Sequence, residues 1–175
     1  MTKDKQLALK PFDFVIAVKI AVNRSQDFLL AQLASEFEVS LSTVHAALGR
    51  AESARLLSRS AGSLRALRPA LQEFAIYGLK YAFPAAVGSA SRGLPTAIGA
   101  PVLAKRFEVT EGPVPVWPHP EGSTYGFEVI PLHPSVPKVA LKDEGFYDVL
   151  ALVDALRVGA AREREIALNE LKARL

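Results

Sequence analysis

The sequence LLAQLASEFEVSLSTVHAALGRAESARLL, residues 29–57, contains two short segments of helical periodicity separated by only a few residues. In the first segment Leu33 and Phe37 fall on one face, and the small Ala34 lies beside them. In the second segment apolar residues recur at helical spacing, at Val44, Ala47 and Leu48. Two helices joined this closely, with a small residue at their contact, predict a helix-turn-helix in which Val39 closes the turn.

The second helix of this pair has a clear start and a distinctive outer face. Ser40 precedes it and is a favourable N-cap, because a serine hydroxyl accepts a hydrogen bond from an amide of the first turn. The face opposite the apolar residues is small and polar at the front, with an arginine further back: Ser42, Thr43, His45, Ala46, Gly49 and Arg50. Such a face enters a DNA major groove, about 12 Å wide, without clashing.

The flanking residues extend the pair to a winged helix. Pro11 is well placed to begin a helix, PFDFVIAVKIAV, which is apolar nearly all round and is therefore predicted to be buried. After the pair, Leu56–Arg59 and Leu64–Leu67 read as the arms of a small hairpin around a Ser-Ala-Gly-Ser tip. Three helices followed by a basic hairpin predict a winged helix-turn-helix domain over residues 1–68.

Residues 69–175 are predicted to form an extension. Pro69 opens a fourth helix that ends at Pro84 and has apolar residues on more than one face, which implies burial on two sides. Most of the prolines and glycines lie in residues 84–137, where PVPVW and TYGFEVI read as two strands of a hairpin at 114–130. Two helices broken at Gly159 end the chain. The predicted fold class is mainly α with a small β content (α+β).

Composition and charge limit the classes of function that the chain can have. The chain has 175 residues, half of them apolar, and no cysteine, which excludes disulfides and thiolate metal sites. Residues 50–107 have a net charge of +7, whereas residues 1–49 are neutral and residues 108–175 carry −4. This asymmetry indicates a polyanionic partner for the middle of the chain. The start of the chain lacks a signal-peptide pattern and residues 12–22 are too short to span a bilayer, so we expect a cytoplasmic protein with no membrane role.

Residues 12–68 resemble the DNA-reading unit of bacterial winged-helix regulators of the MarR/Lrp type. The resemblance rests on Leu33-Ala34 in the first helix of the pair, on the Ser-x-x-x-Val pattern from Ser40 to Val44, and on Arg55-Leu56-Leu57 at the strand entry. The chain departs from the pattern at Glu38, where such turns usually have glycine. Residues 84–175 do not resemble the dimerisation helices of the MarR family, so no ligand or interface residue is transferred from it.

The resemblance implies a sequence-specific regulator of transcription, a repressor that binds double-stranded DNA without catalysis, metal or cofactor. Because a single winged helix reads a short site weakly and the fourth helix is apolar on two sides, we expect a homodimer. The alternative is that residues 108–175 fold back and cover this helix within one chain. The front of the recognition helix would meet base edges or phosphates, Arg50 and Arg55 would reach phosphates along its back, and Arg59 and Arg65 would extend from the hairpin arms. The full set of expected DNA-binding residues is Ser40, Ser42, Thr43, His45, Ala46, Arg50, Arg55, Arg59, Arg65 and Arg68.

Rival interpretations of the same residues are weaker. A Ser/His hydrolase would need a G-x-S-x-G elbow and an orienting acid, whereas Ser42 and His45 are merely neighbours on one helix. His45, His119 and His133 are dispersed and make a poor set of metal ligands.

The extension is compatible with more than one role. The glycine-rich segment Gly88–Pro101 fits a phosphate-binding loop, a loop packed against another subunit, or the wall of a ligand pocket. The acidic C-terminal part also fits an antitoxin, in which residues 84–175 bind a toxin-like protein and the basic head represses its own operon. A third possibility is an adaptor that uses the winged helix only to bind proteins.

Overall fold

The computed structural model describes residues 7–60, 62–107 and 112–175, and its fold is α+β, as predicted. The larger helices of this part of the chain are α1 (Pro11–Val22), α2 (Leu30–Phe37), α3 (Leu41–Ser53), α8 (Glu144–Val158) and α9 (Ala161–Arg174). Four shorter helices are α4 (Arg68–Glu73), α5 (Leu79–Ala82), α6 (Pro101–Ala104) and α7 (Val136–Ala140). The strands are β1 (Leu57–Ser60), β2 (Ser63–Ala66), β3 (Val87–Pro95), β4 (Pro115–Pro118) and β5 (Thr124–Val129).

The predicted order of three helices and a hairpin is present, as α1-α2-α3-β1-β2. α1 is buried from Phe12 to Ala21, as its sequence, apolar nearly all round, predicts. β1 and β2 pair antiparallel, with Leu57 opposite Ala66 and Ser60 opposite Ser63. Ala61, which the sequence places in the predicted hairpin tip, and residues 1–6, the start of the segment that lacks a signal-peptide pattern, lie outside the described residues.

The predicted fourth helix is present but is not uniformly α-helical. α4 leads directly into a π-helical turn, Phe74–Gly78, which continues as α5; we call these residues, 68–82, the linking helix. Its inner face is buried through Leu71, Ala75 and Leu79. That face packs on α1 and α8 within one chain, so the C-terminal part covers one of the two sides that the sequence predicted to be buried.

The two strands predicted at 114–130 are present, but the predicted hairpin is wrong. β4 and β5 run parallel, with Pro115 opposite Phe127, and both pair antiparallel with β3 to close a three-stranded barrel. β3 occupies most of the glycine-rich segment, which the sequence suggested to be a loop. Glycine is required where the strands approach closely, because a Cβ on Gly93 would lie 2.1 Å from the carbonyl oxygen of Trp117.

One hydrophobic core extends across residue 68 and includes α1, α3, the linking helix, α8 and α9. The barrel joins this core through a buried polar cluster around Asp154 of α8. Asp154 Oδ2 accepts hydrogen bonds from Trp117 Nε1 at 2.5 Å and Thr96 Oγ1 at 2.9 Å, and Oδ1 pairs with Arg157 at 2.7 Å. Burial raises the pKa of Asp154, whereas Arg157, Trp117 and Thr96 all favour its ionised form.

A second ionic cluster connects α1, α2 and α8. Lys19 Nζ lies 2.7 Å from Asp143 and 2.9 Å from Glu36. Burial alone would lower the pKa of Lys19, but its hydrogen bonds to Asp143 and Glu36 outweigh this and raise that pKa. Asp143 also caps α8 by accepting from the Phe146 amide, so one carboxylate holds α1 against the C-terminal helices.

Candidate functional site

The helix α3 has one buried face and one exposed face, as its periodicity predicts. Val44, Ala47, Leu48 and Ala51 are buried against the core, whereas Ser42, Thr43, His45 and Ala46 are exposed. Gly49 continues the exposed face, and a Cβ placed there would meet no heavy atom within 4 Å. The centre of the face is therefore formed by small residues, which allow another molecule to approach the helix backbone.

The hydroxyl groups at the start of α3 bond to one another. Ser40 Oγ accepts from the Thr43 amide at 3.1 Å, which confirms the predicted N-cap. The same atom lies 2.8 Å from both Ser42 Oγ and Thr43 Oγ1. Ser40 therefore fixes the helix start and the rotamers of its two neighbours, and it is a positioning residue for the exposed face.

The turn between α2 and α3 places Glu38 in the left-handed region, at φ 53° and ψ 43°, the conformation that glycine normally supplies. Its side chain forms an ion pair with Lys138 of α7, which holds the pKa of Glu38 below its ordinary value. The glutamate thus satisfies the backbone requirement of the turn and connects it to the C-terminal part of the chain.

The hairpin arms present their two arginines on opposite faces. Arg59 is opposite Leu64 and Arg65 is opposite Ser58 in the β1–β2 register, so the two side chains alternate across the ribbon. Arg59 Nε lies 3.1 Å from Glu52 of α3, and Arg65 donates to the Arg24 carbonyl at 3.1 Å. Both guanidinium groups stay exposed, and these surface pairs are weak enough for phosphates to replace.

Two of the predicted phosphate ligands have structural roles instead. Arg50 points into the domain and forms a two-point ion pair with the fully buried Asp13, at 2.7 Å for each contact. Hydrogen bonding to Asp13 raises the pKa of Arg50. A guanidinium held in this way is not available to a phosphate, so the prediction for Arg50 is corrected.

The prediction for Arg68 is corrected for a similar reason. Its guanidinium donates to the carbonyl oxygens of Arg174 at 2.9 Å and Leu175 at 3.1 Å, and it reaches Ala21 at 3.4 Å. Burial lowers the pKa of Arg68, and the charge of Arg24 acts in the same direction. Arg68 therefore joins the end of α9 to the start of the linking helix.

Arg55 and Arg24 are two further basic residues in the N-terminal part of the described chain. Arg55 follows α3 in the left-handed region, at φ 58°, and lines a groove with Leu9, Phe74 and Tyr77, at the opposite end of α3 from Ser40. Arg24, which was not among the expected DNA-binding residues, is exposed in the loop between α1 and α2, beside the hairpin. The only sequence signal for Arg24 was its place in the polar break NRSQD.

Within the described ranges, no group of three or more histidine, aspartate or glutamate side chains is arranged to hold a metal ion. None of the helices in these ranges has the length and apolar character needed to cross a membrane. Comparison of the chain with protein-family models, curated proteins and solved structures gave no match.

Proposed function

We propose that this protein binds double-stranded DNA and regulates transcription, with α3 in the major groove and the β1–β2 hairpin on the flanking backbone. The observation that carries the proposal is the exposed face of α3, which is small and polar at its centre and is flanked by a hairpin with two exposed arginines. Ser42, His45 and Ala46 would contact base edges, and Arg59 and Arg65 would contact phosphates.

The charge of this face predicts a moderate salt dependence. Each phosphate contact contributes about 0.9 to the slope of log K against log salt concentration. Arg59 and Arg65 together therefore account for a slope of about −2 per protein copy. Arg50 and Arg68 are expected to contribute nothing, because their guanidinium groups are engaged within the fold.

The test is binding to a labelled duplex from the protein's own promoter region, measured by fluorescence anisotropy over a range of salt concentrations. Replacing Arg59 and Arg65 with alanine is expected to flatten the slope by about 2 per copy. Arg92→Ala removes an exposed arginine from β3 and serves as the matched control, with no expected change. Salt-independent binding by the wild type, or no binding, would exclude the proposal.

Base reading is tested at the centre of the exposed face. Ala46→Glu places a long anionic side chain where α3 would meet the bases, and we expect it to abolish preference for the promoter duplex over an unrelated duplex of equal length. Ala104→Glu introduces the same change at an exposed position of α6 and is expected to leave binding intact. Equal effects of the two variants would contradict a reading role for α3.

A second candidate function is binding of a toxin-like protein through residues 84–175. It is favoured by the exposed apolar side chains Val87, Tyr125 and Ile130 on and beside the barrel, since exposed apolar surface marks interaction sites. Co-expression with the product of the adjacent gene is expected to yield a complex that Val87→Asp weakens. A complex without any DNA binding would instead support the adaptor interpretation.

A further inference from the structure

The linking helix has an outer face that the described part of the chain leaves exposed. Tyr77 and Tyr81 lie one turn apart on this face and are 64% and 75% exposed. Glu73 and Lys80 flank them at helical spacing, and Lys80 Nζ lies 4.9 Å from the ring centroid of Tyr81. Two large aromatic side chains on one exposed helical stripe are typical of an interface rather than of a solvated surface.

A groove runs alongside this face. It has a volume of about 560 Å³, and its lining is mostly apolar, with two charged side chains, Arg55 and Glu73, and the Tyr77 side chain at its wall. The π-helical turn contributes Phe74, Tyr77 and Gly78 to its wall, and a Cβ on Gly78 would lie 2.8 Å from the Phe74 ring. The face thus combines a projecting tyrosine, Tyr81, with an apolar recess about two turns away at Phe74.

We propose that this face binds a second copy of the same chain, with the two linking helices antiparallel about a two-fold axis near Tyr77. Glu73 lies four residues before the axis and Lys80 three residues after it, so Glu73 of one copy comes opposite Lys80 of the other. Tyr81 of each copy enters the recess at Phe74 of its partner. An interface in which one surface is complementary to itself is what a two-fold dimer requires.

The exposed aromatic area is sufficient to form the centre of such an interface. An aromatic side chain buries about 150–250 Å². Four tyrosines exposed to this extent therefore contribute on the order of 500 Å², about a third of a standard protein–protein interface. The groove walls are available to supply more.

The proposed interface also gives the Arg55 side chain a binding role. Its side chain lines the groove, so Tyr81 of the second copy comes next to its guanidinium, an arrangement that favours a cation–π contact. The proposed dimer does not rest on DNA binding, because the exposed face of α3 takes no part in it. Failure of one proposal therefore leaves the other intact.

The test is the mass of the protein in solution, measured by light scattering and sedimentation velocity over a wide concentration range. The wild type is expected to reach twice the 18.9 kDa of one chain. The variant with Tyr77→Ser and Tyr81→Ser is expected to stay at the single-chain mass, with at least a hundredfold weaker association. Tyr125→Ser removes a tyrosine of equal exposure (69%) from the barrel and is expected to leave the dimer unchanged.

Charge reversal tests the antiparallel geometry. Glu73→Lys and Lys80→Glu are each expected to weaken association about tenfold, and the two changes together in one chain are expected to restore it. Because the chain has no cysteine, Tyr77→Cys offers a further test by forming a disulfide between copies on mild oxidation, while Tyr125→Cys does not. The proposal is overturned if the wild type stays monomeric at every concentration, or if a dimer persists in the double tyrosine variant.

Discussion

Replacing Arg50 with alanine separates a structural role from a DNA-binding role at the position where sequence and structure disagree most. The Asp13 carboxylate is fully buried and accepts from Arg50 Nε and Nη2 at 2.7 Å each, and from the Lys10 amide at 2.7 Å. In Arg50→Ala the Asp13 carboxylate would keep only the hydrogen bond from the Lys10 amide and would have no positive charge beside it.

The expected loss of stability follows from that burial. Breaking a buried ion pair by removing one partner costs about 3–5 kcal/mol. Because the Arg50 side chain remains 17% exposed and water can partly replace it, we expect a value near the lower end, about 3 kcal/mol. Adding Asp13→Asn removes the unpaired charge and is expected to recover part of the loss.

Urea unfolding followed by circular dichroism measures this change, with the slope of the transition unaltered. Arg59→Ala is the control, since its exposed pair with Glu52 is worth at most about 1 kcal/mol. DNA binding by folded Arg50→Ala is expected to keep the wild-type salt slope. A loss below about 1 kcal/mol together with a flatter salt slope would refute the structural assignment and restore Arg50 as a phosphate ligand.

Three further changes test the fold around the site. Gly93→Ala is expected to lower the free energy of unfolding in urea by about 3 kcal/mol, the upper end of the usual cost of overpacking, because its Cβ would overlap the Trp117 carbonyl. Gly49→Ala, whose Cβ meets no atom within 4 Å, is expected to stabilise α3 by about 0.5–1 kcal/mol, and equal effects of the two changes would contradict the close strand approach. Glu38→Gly is expected to raise the melting temperature, since glycine adopts the left-handed turn without strain. A lower melting temperature would mean that the ion pair of Glu38 with Lys138 stabilises the protein by more than the strained backbone costs. Burial lowers the pKa of His133, so stability is expected to be highest above pH 6.5 and to fall as the pH decreases through the folded pKa, as thermal melts of the wild type and of His133→Gln would show; identical pH profiles would contradict this.

The N-terminal helices and hairpin could be predicted from sequence because their signals are local. Pro11 begins α1, Ser40 caps α3, and the helical spacing of Val44, Ala47 and Leu48 identifies the buried face of the recognition helix. The positive φ of Glu38 followed from its position in the turn, although its residue type argued against it. Each of these features depends on residues within a few positions of one another.

The barrel and the roles of the arginines could not be predicted, because they depend on contacts between distant residues. β3 has neither a strand-like apolar run nor alternation, and it is a strand because β4 and β5 both pair with it. The turn-rich residues between β4 and β5 suggested a hairpin, but the strands run parallel. Arg50 and Arg68 look like surface arginines in the sequence, yet their partners lie 37 and 107 residues away.

In the proposed dimer, the shared hydrophobic core would fix how the two winged-helix units (residues 1–68 of each copy) are arranged on DNA. Because α1 and α8 belong to one core and Arg68 joins the linking helix to α9, the recognition helix has a fixed orientation relative to the face proposed for dimerisation. A dimer of this kind would read two half-sites at one spacing on the same side of the duplex.

Inserting about half a helical turn, roughly 5 base pairs, between the half-sites is expected to abolish simultaneous binding of both half-sites, because the second half-site rotates to the opposite side of the duplex. Inserting a full turn of about 10 base pairs returns the second half-site to the same side of the duplex but leaves it too far from the first. We therefore expect this insertion to recover little binding to both half-sites. Footprinting of the promoter duplex and of the two duplexes with insertions provides the measurement. Equal occupancy of both half-sites in all three duplexes would show that the two winged-helix units move independently and would contradict the fixed orientation.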